Sequence, residues 1–152
     1  MEFPDTLIRG RLVKRYKRFL ADVLLESGET VTAHCANTGA MTGVQDPDSE
    51  VWVSPARNPD RKLKYTWEMI RVSEGLVGIN TSQPNKIIAE AIMSAQLPEL
   101  RGYRDLRREV KYGKNSRIDI LLSDDDKPDC YVEIKNVHLM RTQGVAEFPD
   151  GV

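Results

Sequence analysis

Three side chains near the end of the chain have the types and spacing that phosphodiester chemistry uses. They are Asp119, in the run Arg117-Ile118-Asp119-Ile120-Leu121-Leu122, and Glu133 and Lys135, in Cys130-Tyr131-Val132-Glu133-Ile134-Lys135. Side chains alternate along a strand, so Tyr131, Glu133 and Lys135 share one face, while Asp119 points away from Ile118 and Ile120. The segment Ser123-Asp124-Asp125-Asp126-Lys127-Pro128-Asp129 reads as a turn-rich loop between the two runs. A hairpin symmetric about Asp126 then sets Asp119 across from Glu133, with Cβ atoms about 5 Å apart, and Arg117 across from Lys135. Two carboxylates at that distance repel unless a cation lies between them or one is protonated. Oxygen ligands at about 2.1 Å, with waters filling the shell, suit Mg²⁺ (or Mn²⁺). Lys135 would steer a water and stabilise charge building at phosphorus, so the chemistry indicated is metal-assisted hydrolysis. The reading depends on register, since a slip of one residue sends Glu133 to the opposite face. Taken alone, Glu-x-Lys is a weak signal, and alternating charges on a solvated sheet face are the more ordinary source of the pattern.

A second group of residues points to phosphate binding. The net charge of −1 gives no global basic character, so any nucleic-acid reading rests on local clusters. Between Arg9 and Arg18 six cations occur with no acid, and Lys14, Arg15, Tyr16, Lys17 and Arg18 combine charges for phosphates with a ring on which a base could stack. The alternative is an edge strand whose cations discourage aggregation. His34 and Cys35 are adjacent on a strand and point to opposite faces, which argues against a nucleophilic pair. Asn37-Thr38-Gly39 reads as a polar turn, or as a backbone nest that meets phosphate.

These residues need a scaffold. Residues 6–79 read as short strands, at 6–13, 19–25, 30–35, 50–54, 65–72 and 76–79, parted by Gly, Asp, Asn and Pro clusters, with a hairpin at Ser27-Gly28-Glu29. Five or six short strands suggest a small barrel of OB type, with a sandwich as the alternative. Trp52, Tyr65 and Trp67 fall among apolar neighbours and are expected in the core. Helical spacing follows over 84–95, where Ile87, Ile88, Ala91, Ile92 and Ala95 form one stripe and Pro84 suits the first turn. Strands return at 109–112, 117–122 and 130–137, so this half is one helix on a three-stranded sheet. No run approaches the length of a membrane span, and no leader is recognisable, which places the chain in the cytoplasm. Cys35 and Cys130 lack metal-type spacing and read as small buried hydrophobes. The closing residues, Glu147 to Val152, look like a turn opening a further element, so the natural chain is expected to continue.

The whole pattern resembles the sugar fermentation stimulation protein A family, and Asp119, Glu133 and Lys135 resemble the PD-(D/E)xK nuclease motif. The matching stretches are Arg15-Tyr16-Lys17-Arg18-Phe19-Leu20-Ala21-Asp22-Val23, His34-Cys35-Ala36-Asn37-Thr38-Gly39-Ala40-Met41, Glu109-Val110-Lys111-Tyr112-Gly113, Ser116-Arg117-Ile118-Asp119, Asp129-Cys130-Tyr131-Val132-Glu133-Ile134-Lys135 and Phe148-Pro149-Asp150. Ile118 stands where that nuclease pattern often has proline. The resemblance implies an α+β chain. Residues 1–80 would form an N-terminal OB-like barrel, and residues 81–152 an α/β nuclease-like domain of PD-(D/E)xK type, C-terminally truncated. It implies DNA as partner, strandedness undecided, and nucleic-acid contacts from Lys14, Arg15, Tyr16, Lys17, Arg18, Asn37 and Arg117. Catalysis would fall to Asp119, Glu133 and Lys135. The metal ligands would be Asp119 and Glu133, with an upstream helical glutamate for which Glu90 is the candidate and Glu109 the other choice. A homodimer would be one way to bury sheet surface left by the missing elements. The competing reading is a non-catalytic DNA-binding regulator of sugar (maltose) catabolism.

Overall fold

The structure, a computed structural model, describes residues 1–149; Asp150 of the Phe148-Pro149-Asp150 stretch, with Gly151 and Val152, lies outside the described residues. The described residues divide into two compact units, one built from residues 2–81 together with residues 137–149, the other from Ser82–Asn136 with Met1.

The first unit is a barrel. Its strands are β1 (Ile8–Tyr16), β2 (Leu20–Leu25), β3 (Thr30–His34), β4 (Glu50–Pro55), β5 (Tyr65–Val72) and β6 (Gly75–Gly78). They run in the order β3-β2-β1-β4-β5-β6, and β3 pairs again with β5, in parallel, through Ala33↔Tyr65 and His34↔Thr66. That second pairing closes five strands in the ring order of an OB barrel, with β6 flanking it, and so rules out the sandwich. Closure needs β1 to serve β2 and β4 at once, and Gly10 permits it: a Cβ there would lie 2.6 Å from the Leu24 carbonyl oxygen and 2.7 Å from a Val23 methyl. A register shift between Leu12 and Lys14 adds the local twist a small ring requires. Alternation then sends Leu12, Ala21, Val23, Val31, Ala33, Val51 and Val53 into one core, and a register shift in the β4–β5 pairing lets both Trp67 and Ile70 join them. Trp67 is fully buried, as expected, whereas Trp52 and Tyr65 are only half-buried. Trp52 carries the Arg71 guanidinium over its ring at 5.4 Å. The same unit holds a hairpin of β10 (Leu139–Thr142) and β11 (Val145–Glu147) that the sequence pattern does not announce.

The second unit comprises α1 (Pro84–Met93), a 3-10 turn at Pro98–Leu100, and an antiparallel sheet of β7 (Asp105–Tyr112), β8 (Ser116–Asp124) and β9 (Lys127–Val132) in that order. Ala89 of α1 packs on Ile120 and Leu122 of β8, with Ile88, Ile92, Leu106, Val132 and Ile134 around them. In the β8–β9 hairpin the pairs Ile120↔Val132, Leu121↔Tyr131 and Leu122↔Cys130 follow the register expected from the loop. The strand stops sooner than expected, at Val132 rather than residue 137. The backbone N–H of Ile134 donates to Asp119 Oδ2 at 2.7 Å and is not in the ladder. Arg117 consequently has no cross-strand Lys135 neighbour; it pairs with Lys111 of β7.

Candidate metal centre and nucleic-acid interface

In the helix-and-sheet unit, Asp119 sits on the central strand and is half-buried. Both of its oxygens are held. Oδ2 accepts the Ile134 N–H, and Oδ1 accepts the side-chain amide of Asn85, in the first turn of α1, at 2.8 Å. The same Nδ2 donates to Glu109 Oε1 at 3.1 Å, so one amide group links two carboxylates. The β7–β8 pairs Arg108↔Ile120 and Val110↔Ile118 place Glu109 opposite Asp119. Glu109 reaches that position with φ at +54°, a left-handed conformation in mid-strand that costs a non-glycine residue about 1–3 kcal/mol. Its other oxygen lies 3.7 Å from the Arg117 guanidinium.

Glu133 and Lys135 follow directly on the end of β9, both exposed, with Lys135 Nζ 2.7 Å from Glu133 Oε1. Glu90, on the exposed side of α1, forms an ion pair with the N-terminal amine of Met1 at 3.0 Å. The structure therefore groups Asp119 with Glu109 and Asn85, pairs Glu133 with Lys135, and gives Glu90 a different partner. Among the described residues no three His, Cys, Asp or Glu side chains stand poised to hold a metal ion. Asn85 is the residue sequence reasoning missed. Its only local signal is an asparagine just inside a proline-initiated helix, and its partners come from β7 and β8.

In the barrel unit the basic segment splits into two kinds of residue. Arg15 turns inward along the surface: its guanidinium donates to the carbonyls of Arg18 (3.0 Å), Asn37 (3.0 Å) and Gly39 (2.8 Å) and to Gln45 Oε1 (3.1 Å). Tyr16 is half-buried and donates its hydroxyl to Asp22 Oδ1 at 3.0 Å, while Lys14 lies 5.2 Å above its ring. Lys17 and Arg18 stand exposed at the β1–β2 turn, with φ at +50° and +63°. Asn37 is buried and closes a tight turn through Oδ1, which accepts the Gly39 N–H at 2.9 Å; its Nδ2 lies 3.4 Å from His138 Nε2. The turn expected at Asn37-Thr38-Gly39 is thus present, and Arg15 clamps it. His34 and Cys35 point to opposite sides, half-buried and buried respectively. Both cysteines are free thiols; Cys35 is buried as expected, whereas Cys130 is only half-buried.

On the β1–β4–β5 face, Glu50 forms ion pairs with Arg9 and with Arg71, the latter at 2.5 Å. Its hydrogen bond to Arg71 holds the carboxyl below the usual glutamate range against an opposing desolvation effect, with Arg9 and Arg11 adding to the lowering. No helix among the described residues is long and apolar enough to cross a membrane.

Comparison with known proteins gives consistent matches. A profile described as the SfsA N-terminal OB domain matches residues 13–79, and one described as the sugar fermentation stimulation protein RE domain matches residues 82–152. A sugar fermentation stimulation protein homolog of Maricaulis maris is 59% identical over 152 residues, covering 100% of this chain and 65% of that protein. The homolog from Rhodospirillum rubrum is 58% identical over 162 residues, covering 100% of this chain and 66% of its own length. This chain thus spans just under two thirds of the relatives it matches. Among solved structures, that of Pyrococcus furiosus SfsA in complex with Ca²⁺ superposes with a TM-score of 0.75 at 26% identity, covering 88% of this chain and 55% of that one.

Proposed function

The chain belongs to the sugar fermentation stimulation protein family, and from that premise we propose that it is a cytoplasmic DNA-binding protein carrying a divalent-metal site for phosphodiester hydrolysis. Residues 1–80 would supply the DNA-binding barrel and residues 81–152 a nuclease-like domain of PD-(D/E)xK type. The observation that carries the reading is the arrangement at Asp119. A carboxylate fixed by the Ile134 N–H and the Asn85 amide stands with Glu109 in reach, while Glu133 and Lys135 follow from the adjoining chain. The donor set fits a hard cation, because it consists of carboxylate oxygens. The relative solved with Ca²⁺ lends support to such a site.

Asp119 and Glu133 are the residues that would hold the ion, together with Glu109, which shares the Asn85 amide with Asp119. A bound Mg²⁺ or Mn²⁺ supplies a polarised phosphoryl oxygen and a more acidic water. Both oxygens of Asp119 are engaged before any ion binds, Oδ2 by the Ile134 N–H and Oδ1 by the Asn85 amide. Lys135, now paired with Glu133, would place its ammonium beside the phosphate and orient the attacking water. On the barrel, Lys17 and Arg18 are the exposed cations best placed to meet a phosphate backbone. Their left-handed backbone, which glycine or asparagine would adopt at less cost, supports a functional reason for the residues found there.

The deciding experiment is a titration of Mg²⁺ or Mn²⁺ into protein with labelled single- and double-stranded DNA, following binding and cleavage together, beside Glu133→Ala. Metal-dependent cleavage lost in the variant supports the nuclease. Salt-sensitive binding with no turnover supports the second reading, a non-catalytic regulator of sugar catabolism, which the Glu133–Lys135 ion pair favours because an ion would have to compete with the ammonium for that carboxylate.

A further inference from the structure

We infer that Asn85 is a positioning residue for this metal site: its amide occupies the place between Asp119 and Glu109 that a divalent ion would take, and leaves when the ion arrives. The inference rests on the divalent-metal reading above. With two carboxylate oxygens as neighbours, only the NH₂ end of the amide can face them, because the carbonyl end would add a third acceptor to the cluster. The two hydrogens of one Nδ2 are thereby divided between Asp119 Oδ1 at 2.8 Å and Glu109 Oε1 at 3.1 Å.

Two facing carboxylates without a cation repel one another. Arg117 touches Glu109 only loosely, on its outer oxygen. The neutral amide therefore quenches the repulsion that an ion would otherwise quench. Ca²⁺ takes oxygens at about 2.3–2.6 Å, so an ion at the Nδ2 position needs each carboxylate to move inward by only about half an ångström. Mg²⁺, at about 2.0–2.1 Å, needs a contraction of about 1 Å on the Glu109 side, so the pair as set suits the larger ion first. Glu109 has its positive φ in the middle of β7, and its carboxylate meets the same amide as Asp119.

An interaction present only in the metal-free state opposes metal binding, and deleting it must tighten binding. Damage to a supporting residue would do the reverse. The test is calorimetric titration of CaCl₂ into the full chain, as wild type, Asn85→Ala, Asp119→Asn and Glu109→Gln, with melting temperatures recorded in EDTA. Asn85→Ala should bind Ca²⁺ about tenfold more tightly, equivalent to about 1.4 kcal/mol, while melting lower in EDTA. Asp119→Asn and Glu109→Gln should bind at least tenfold more weakly. Unchanged or weaker Ca²⁺ binding in folded Asn85→Ala overturns the inference alone. Wild type that binds no Ca²⁺, or binds it as well as Asp119→Asn does, overturns the metal reading and this one with it. Should Asn85→Ala not fold, the side-chain amide resonance of Asn85 in ¹⁵N-labelled wild type decides: it must shift on Ca²⁺ saturation, and a resonance that stays put refutes the displacement.

Discussion

Replacing Arg15 by lysine separates the charge of this side chain from its geometry. The guanidinium makes four hydrogen bonds, two of them partly buried, to the Asn37 carbonyl and to Gln45. Hydrogen bonds involving a charged donor contribute about 1.5–3 kcal/mol each. The two exposed bonds, to the Arg18 and Gly39 carbonyls, add little once water competes. Because bonds from one side chain are not additive, the expected cost of losing the fork is about 3 kcal/mol. A folding unit of roughly a hundred residues has an unfolding entropy near 0.2 kcal/mol per kelvin, so the barrel transition should fall by about 15 °C in both Arg15→Lys and Arg15→Ala. A lysine carries a single point of donation on a flexible stem and cannot span three carbonyls and an amide. Calorimetry at one pH, with a DNA titration over a salt series below the transition, is the assay. The alanine variant, which removes the charge, should keep the wild-type slope of log K against log salt, since the barrel itself engages the Arg15 guanidinium. A lysine variant that melts within a degree or two of wild type would refute the clamp, and a slope shallower by about 0.9 in the alanine variant would return Arg15 to the DNA interface.

Arg18→Gly should raise the melting temperature by relieving a left-handed backbone, while making the salt slope of DNA binding shallower by about 0.9, the share of one neutralised phosphate; a stability gain with unchanged slope would remove Arg18 from the interface. Gly10→Ala should destabilise the barrel by at least about 1–3 kcal/mol, because its methyl would meet the Leu24 carbonyl, a backbone atom that cannot swing aside; denaturant unfolding with unaltered stability would contradict that close approach. For Glu50 the folded carboxyl is held below its usual value, so its stabilising contribution is complete above the unfolded value, about 4.3, and is lost as pH falls through the lower folded one. Glu50→Gln should therefore melt lower than wild type near neutrality and converge with it in acid. A constant difference across the pH range would show that titration of Glu50 plays no part.

Local pattern carried most of the barrel. Alternating apolar residues parted by Gly, Pro and Asp marked all six strands to within a few residues, and the turn at Ser27-Gly28-Glu29 fell where expected, with Gly28 at a positive φ. The choice of barrel over sandwich was not legible, because it depends on Ala33 meeting Tyr65, a pairing for which neither segment holds a local signal. The early end of β9 was hidden for a related reason: an aspartate side chain fifteen positions away takes the Ile134 N–H. The hairpin over Leu139–Thr142 and Val145–Glu147 escaped notice because its exposed strands lack apolar alternation; the one available cue was Gln143-Gly144. At the candidate site, Asp119, Glu133 and Lys135 could be singled out by type and spacing. Asn85 could not, since a polar residue in a helix's first turn has an ordinary explanation and only the tertiary fold turns it toward two carboxylates.

The parallel seam between β3 and β5 has a consequence for the order of folding. β1, β2 and β3 form a meander of neighbouring strands, whereas the seam joins strands separated by all of β4 and its flanking loops. Loop closure of that span must precede any reward from the pairing. The meander should therefore assemble first and wait, with the edge of β3 unpaired and open to pairing with another chain. Only two residue pairs then lock the ring. Amide protection around Ala33, His34, Tyr65 and Thr66 should accordingly report ring opening at a lower free energy than the amides of β1 and β2, which exchange only when the whole barrel unfolds.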